Sequence, residues 1–212
     1  DNHNSSNESV NIEDSANSLG QKLISAEDIN SGLEDVARTL VEIFDVERSV
    51  IVTYNADINS ALHGAAYDRS NDEYDENVIS SEIPAKILQL LTPTKFVRIT
   101  ARELSALSSI YAPFKNRLAE GNESLVVTGI HWQGNPVGWL ALWSRSESDF
   151  SSETLDLLDQ IARQIAAPIG YLQLNRKLEL DYQNQVDISE MAESLSSAKS
   201  VEEGLEKFTN LL

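Results

Sequence analysis

Cysteine is absent from this chain, so it forms no disulfide, offers no thiolate to a metal and carries no thiol nucleophile. Long apolar runs are missing too: none approaches the ~18 residues that span a bilayer, and no signal peptide is present. Basic residues are scarce, with 16 Lys and Arg against 34 Asp and Glu and a net charge of −18. A surface so negative repels phosphate backbones and anionic lipid heads, so neither nucleic-acid binding nor membrane contact by this segment is expected. A reducing cytoplasm suits these absences and is the expected location.

Catalytic signatures are equally thin. There is no Gly-rich phosphate loop and no His-Glu-x-x-His spacing. The histidines, His3, His63 and His131, lie far apart in sequence, and serine is too common for any Ser-His-Asp pairing to stand out. The chain is therefore not expected to be an enzyme, and no metal site is expected. The acidic stretch containing Asp68, Ser70, Asp72 and Glu73 lacks the alternation and the glycine of a calcium loop, so it reads as solvated surface. Asn-x-Ser sequons at Asn4, Asn7 and Asn122 carry little weight without a secretion signal.

What is present is patterned. At 212 residues the chain accommodates one domain of about 150 residues plus extensions, large enough to bury a core without covalent staples. Residues 1–17, rich in Asn, Ser, Asp and Glu, read as a linker or upstream tail. Leu23 to Leu40 aligns without a gap on Leu195 to Leu212, with seven of eighteen positions identical. In both copies the apolar residues fall at i, i+4, i+7, i+11: Ile29, Leu33, Val36, Leu40 and Val201, Leu205, Phe208, Leu212. That is one face of a helix. Asp28 is the expected N-cap of the first copy, and Ser200 with Glu203 forms a capping box in the second. The repeat, and a first residue that is Asp rather than Met, imply a piece of a modular protein that stops where a second domain opens.

Between the copies, Ser49 to Tyr54 is β-branched and short, a strand with a hairpin partner over Ala61 to Tyr67. Ile83 to Leu91 reads as a short helix and Lys95 to Ile99 as an extended piece. Leu104, Leu107, Tyr111, Phe114 and Leu118 form one helical stripe, which Pro113 divides. A long hairpin follows, Glu123 to Trp132 and Pro136 to Trp143, turning at Gln133-Gly134-Asn135. From Phe150 a long helix opens. Its apolar seam runs through Leu155, Leu158, Ala162, Ile165, Ile169 and Leu172, continues out of phase through Leu174 and Leu178, and fades across 181–187 before Ile188, Met191 and Leu195. Pro168 should kink it.

Three stretches in this order resemble the GAF domain family: Leu33 to Phe44 leading into the first strand, Glu123 to Leu142, and Phe150 to Ile169. The resemblance covers about 23–174 and is strongest from Gly134 to Leu142 and at the Phe-x-x-Glu helix start. It implies an α+β fold: a central antiparallel sheet with terminal helices on one face, short helices and loops forming a pocket on the other, and a long C-terminal helix. The expected organisation is a linker or tail over 1–17, a GAF domain over 18–174, a connecting signalling helix over 175–197 and the first helix of a truncated second GAF-like domain over 198–212.

As function the resemblance implies a sensory or regulatory domain of a cytoplasmic, bacterial, multidomain signalling protein, with a histidine kinase as the commonest output of such two-component systems. Its members that bind a linear tetrapyrrole covalently, or an iron–sulfur cluster, use cysteine, so neither cofactor is expected; the identity of any other stays open. Haem through His63 or His131 is a third reading. Tyr67, Tyr111, Phe114, His131 and Trp139 are the candidate pocket residues, able to enclose a planar small molecule, with Trp132, Trp139 and Trp143 all bordering it. The same aromatics fit plain core packing. Leu155, Leu158, Ile165, Leu172 and Leu178 are the candidates for a signalling helix in a homodimer, usually a parallel coiled coil in such proteins. The polar interval Gln183-Asn184-Gln185 argues against a uniformly tight seam, and a helix lying on its own sheet is the competing reading. A purely structural dimerisation module without ligand is the alternative function.

Overall fold

The computed structural model describes residues 18–55, 60–70, 72–74, 96–100, 102–103, 121, 123–146 and 150–196. The chain divides into two compact units, Asp1–Gly170 and Tyr171–Leu212. In the first unit, helix α1 (18–25) precedes α2 (Ile29–Phe44), followed by strands β1 (Arg48–Asn55), β2 (Ser60–Asp68), β3 (Glu73–Tyr74), β4 (Val97–Thr100), β5 (Ser124–Trp132) and β6 (Asn135–Ser144). Helix α3 (Ser152–Ser196) opens in this unit and continues through the described part of the second.

Helix α2 starts where its cap places it. Asp28 has extended backbone and its carboxylate accepts from the N–H groups of Asn30 and Ser31 at 2.7 and 3.1 Å, two donors that otherwise lack a partner. These bonds, Ser31 first and then Asn30, hold the Asp28 carboxyl below its ordinary 3.8. Asp45 ends the helix in the left-handed region, φ 51°, with its N–H donating to the Val41 carbonyl.

The strands form one antiparallel sheet in the order β3-β2-β1-β6-β5-β4. The β5–β6 hairpin turns on two residues, Gln133 and Gly134, both at positive φ (52° and 82°), a handedness that suits the twist of the strands it joins. At the other end of the sheet, Thr100 and Glu103 form a reciprocal cap. The Thr100 N–H donates to the Glu103 carboxylate, and the Glu103 N–H donates to the Thr100 hydroxyl.

Alternation along the strands sends Ile51, Val126, Leu140 and Leu142 to one face, where α1, α2 and the first half of α3 cover them. Helix α3 contributes Leu155, Leu158, Ile161, Ala162, Ile165, Ala166 and Ile169, all buried. Polar ties fix this layer: the Ser49 hydroxyl donates to the Ala37 carbonyl of α2, and Lys22 of α1 donates to the Thr39 hydroxyl of α2 at 2.9 Å. Pro168 lies within α3, which is assigned as helix from Ser152 to Ser196, and a methyl placed at Gly20 would sit 3.4 Å from the proline ring. The glycine lets α1 approach closely there.

One expectation is corrected here. Leu155, Leu158 and Ile165 do not form an exposed seam; they are buried in the chain's own core, because the first half of α3 lies on the sheet. Leu172 is half-buried and Leu178 is exposed. The strand expected over 95–99 is observed at Val97–Thr100. The expected helices over 83–91 and 104–118, and the repeat copy with Val201, Leu205, Phe208 and Leu212, lie outside the described residues.

Candidate functional site

The sheet's other face is built differently. Directly paired residues of antiparallel strands share a face, so the pairings give its rows. Asp68, Arg48, Trp143, Leu125 and Ile99 make the first; Ala66, Val50, Ala141, Val127 and Val97 the second; Gly64, Val52, Trp139 and Gly129 the third. The apolar members form a second buried cluster, separate from the helical one. Two large side chains dominate it, Trp139 and Trp143, 7% and 3% exposed. Around them stand Gly64, Ala66, Gly129 and Ala141 together with the aliphatic side chains of Val50, Val52, Leu125, Val127 and Ile99, with Ala61 packed alongside.

One ion pair is set into this face. Arg48 stands 3.5 Å from Asp68, with side chains 7% and 18% exposed. A guanidinium held at this depth beside the Trp143 indole is a donor fork in an apolar setting, where a hydrogen bond to a charged group counts for more than at the surface. Sequence reading passed over the Arg48–Asp68 pair, and named Trp143 only as bordering the pocket. The available signal was an Arg immediately before a β-branched strand whose expected hairpin partner ends next to Asp68.

The candidate pocket residues divide. Trp139 lies on the non-helical face, as does His131, two residues along β5 from Gly129, the direct partner of Trp139. Tyr67 does not. It packs with the helical core, Arg38 of α2 stacks over its ring at 5.3 Å from the centroid, and its hydroxyl donates to Asp72 at 2.7 Å. Its parity decided this, since Tyr67 pairs with Ser49, which faces α2. Tyr111 and Phe114 lie outside the described residues.

Nor do the three tryptophans share a site. Trp132 belongs to the helical side, where a methyl placed at Gly170 of α3 would fall within 2.2 Å of its ring. A β-bulge separates it from Trp139: between Ile130 and His131 the register shifts, and Val137 turns into the helical core out of step with its neighbours. Gly138 next to it accommodates a close crossing, since a methyl there would lie 2.4 Å from the Val52 carbonyl oxygen.

The two strand histidines also part company. His63 is on the helical face, its Nδ1 3.1 Å from the Asn30 side-chain oxygen, whereas His131 is on the other, so they do not converge on one ligand. Among the described residues no group of three or more His, Asp or Glu is arranged to hold a metal ion. No helix among them is long and apolar enough to cross a membrane.

The profile of the family described as "GAF domain" matches residues 28–169, and the chain belongs to that family. Solved structures with the same fold include the bacteriophytochrome RpBphP3 from the photosynthetic bacterium R. palustris. It has a TM-score of 0.60 at 15% identity, over 95% of this chain and 45% of that one. The phycoerythrobilin-bound GAF domain from a cyanobacterial phytochrome gives 0.56 at 13% identity, over 79% of this chain and 99% of that one. The GAF domain from Acinetobacter phosphoenolpyruvate-protein phosphotransferase gives 0.50 at 12%, over 76% and 93%. This chain therefore spans less than half the length of the bacteriophytochrome chain it resembles. At these identities the likeness speaks to fold. No curated protein matches the chain.

Proposed function

We propose that this chain is a non-catalytic sensory domain of a larger signalling protein, which receives a small planar ligand on the non-helical face of its sheet and relays the event through α3. The observation that carries the reading is the division of labour between the faces. One face is closed by three helices, and the other sets Trp139, Trp143 and the Arg48–Asp68 pair among Val, Leu, Ile, Ala and Gly. Indole faces stack on flat molecules, and a buried guanidinium favours a ligand that carries an acceptor or an anionic group. The structural neighbours include a phycoerythrobilin-bound GAF domain, which supports a ligand on this fold, though no cysteine is available here to hold one covalently.

The relay is proposed to act in a homodimer formed through the distal part of α3, inside a cytoplasmic bacterial protein whose output is a histidine kinase or a comparable module. The low exposure of both indoles favours a second reading, a structural dimerisation module whose non-helical face is simply packed. A thermal-shift screen of planar carboxylates, nucleotides and tetrapyrroles separates them. A raised melting temperature accompanied by a change in indole fluorescence supports the sensor. No shift across such a panel supports the spacer.

A further inference from the structure

Pro168 and Gly170 stand two residues apart inside α3, and they are the two residue types least suited to a helix interior. Both have a packing reason. Pro168 meets Gly20 of α1, whose missing side chain lets the two helices close. Gly170 meets Trp132: a methyl built there would fall inside the indole, against its Cγ, Cδ2 and Cε3 atoms. The ring therefore rests on the main chain of α3, where no rotatable side chain of the helix can absorb its displacement. The turn it rests on is a soft one, because Pro168 brings no N–H to the helical ladder and glycine restricts its own backbone least. Gly170 is also the last residue of the first compact unit.

Trp132 sits at the tip of the β5–β6 hairpin, paired with Asn135 across the Gln133-Gly134 turn. The residue before it, His131, faces the non-helical side, and the β-bulge at Ile130/His131 separates this tip from Trp139. A bulge breaks the ladder locally, which gives the tip a point to pivot on. One hairpin thus carries Trp139 and His131 on the face proposed to receive a ligand and Trp132 on the face that bears α3.

Resting on the reading of the non-helical face as the ligand's and of α3 as the relay, we propose that Trp132 is the positioning residue between them. A change of packing at Trp139 tilts the hairpin tip about the bulge, and the indole carries that tilt into the soft turn at Pro168 to Gly170. Trp132 packs with the helical core, so it makes no contact with a ligand on the opposite face.

Hydrogen exchange of the full chain tests this without a ligand. Trp139→Phe serves as the perturbation, since Trp139 belongs to the cluster separate from the helical core. It is expected to change the exchange rates of amides over 167–174 by at least about threefold while those over 155–163 keep theirs. The change should disappear in a Trp132→Leu background and return with Trp132→Phe, which restores a flat ring. Should Trp132→Leu fail to fold, Gly170→Ala displaces the ring without deleting it, and the same loss of coupling is expected. Unchanged exchange over 167–174 would overturn the proposal. So would a change shared equally by 155–163, which marks a global loosening, or one that survives Trp132→Leu. A negative thermal-shift screen removes the ligand and leaves this coupling standing, whereas a negative result here removes the coupling and leaves the ligand reading standing.

Discussion

The two faces of the sheet are covered in opposite ways. On one, Ile51, Leu140, Leu142 and Val126 meet the apolar stripes of three helices, and polar ties such as Ser49 to Ala37 and Lys22 to Thr39 join element to element. On the other, two tryptophans and an ion pair stand among Val, Leu, Ile, Ala and Gly. The first face has the composition of a folding core. The second sets two indoles and the Arg48–Asp68 pair among its aliphatic side chains, and the proposed site rests on them.

The largest expected effect sharpens the first half of that contrast. Leu158→Ala, at a fully buried position of the helical core, should lower unfolding stability by about 2 to 5 kcal/mol in chemical denaturation. Leu178→Ala on the same helix should leave monomer stability within about 0.5 kcal/mol, since its side chain is exposed. Comparable losses from both would mean that the second unit contributes to the core of the first.

Gly170→Ala comes next. Its methyl would collide with the Trp132 ring, which must shift or push α3 away, at a cost of about 1 to 3 kcal/mol. The emission of Trp132 should move while the ligand response of Trp139 and Trp143 persists. If that response vanishes instead, the two faces are coupled more tightly than their separate packing implies.

A smaller stability change but a complete functional one is expected from Trp139→Phe. Much of the volume and all of the apolar character are kept, so the cost should stay below about 1.5 kcal/mol. The ligand-induced melting shift should be lost with the indole. A full shift in this variant would move the site off the non-helical face.

The smallest effect is acid sensitivity at the α2 cap. Asp28 titrates below its ordinary value because the folded state supplies N–H donors to its carboxylate. Its contribution is therefore present above 3.8 and fades as the pH falls through the lower folded value. Comparing acid unfolding of the native chain with Asp28→Asn, which caps without titrating, should show the native chain losing relative stability only below that range. An identical acid profile for both would show that the cap does not contribute to pH dependence.

Much of this architecture was readable in advance. The 3.6-residue period of Ile29, Leu33, Val36 and Leu40, the Asp28 cap, the Gln133-Gly134 turn and the β-branched run at Val50 to Thr53 are local signals with local causes. Of the candidate site, Trp139, His131 and Trp143 were legible, and the Arg48–Asp68 pair was not. Parity misplaced Tyr67, since period 2 says that alternate residues share a face and not which face it is when both are buried. The tryptophans were grouped because they share a hairpin, and the bulge at Val137 separated them.

Sequence alone thus determined the main strands and helices among the described residues, the Asp28 cap and the Gln133-Gly134 turn, the family, and the exclusion of thiol chemistry, because each follows from residues near one another in the chain or from composition. Tertiary structure decided what lay between elements: that the first half of α3 closes its own sheet rather than a partner's, and that Arg48 and Asp68 meet beside Trp143. The reason is physical. A side chain's neighbours across strands and layers are set by register, bulges and packing, whose energies are collected from residues scattered over the whole chain.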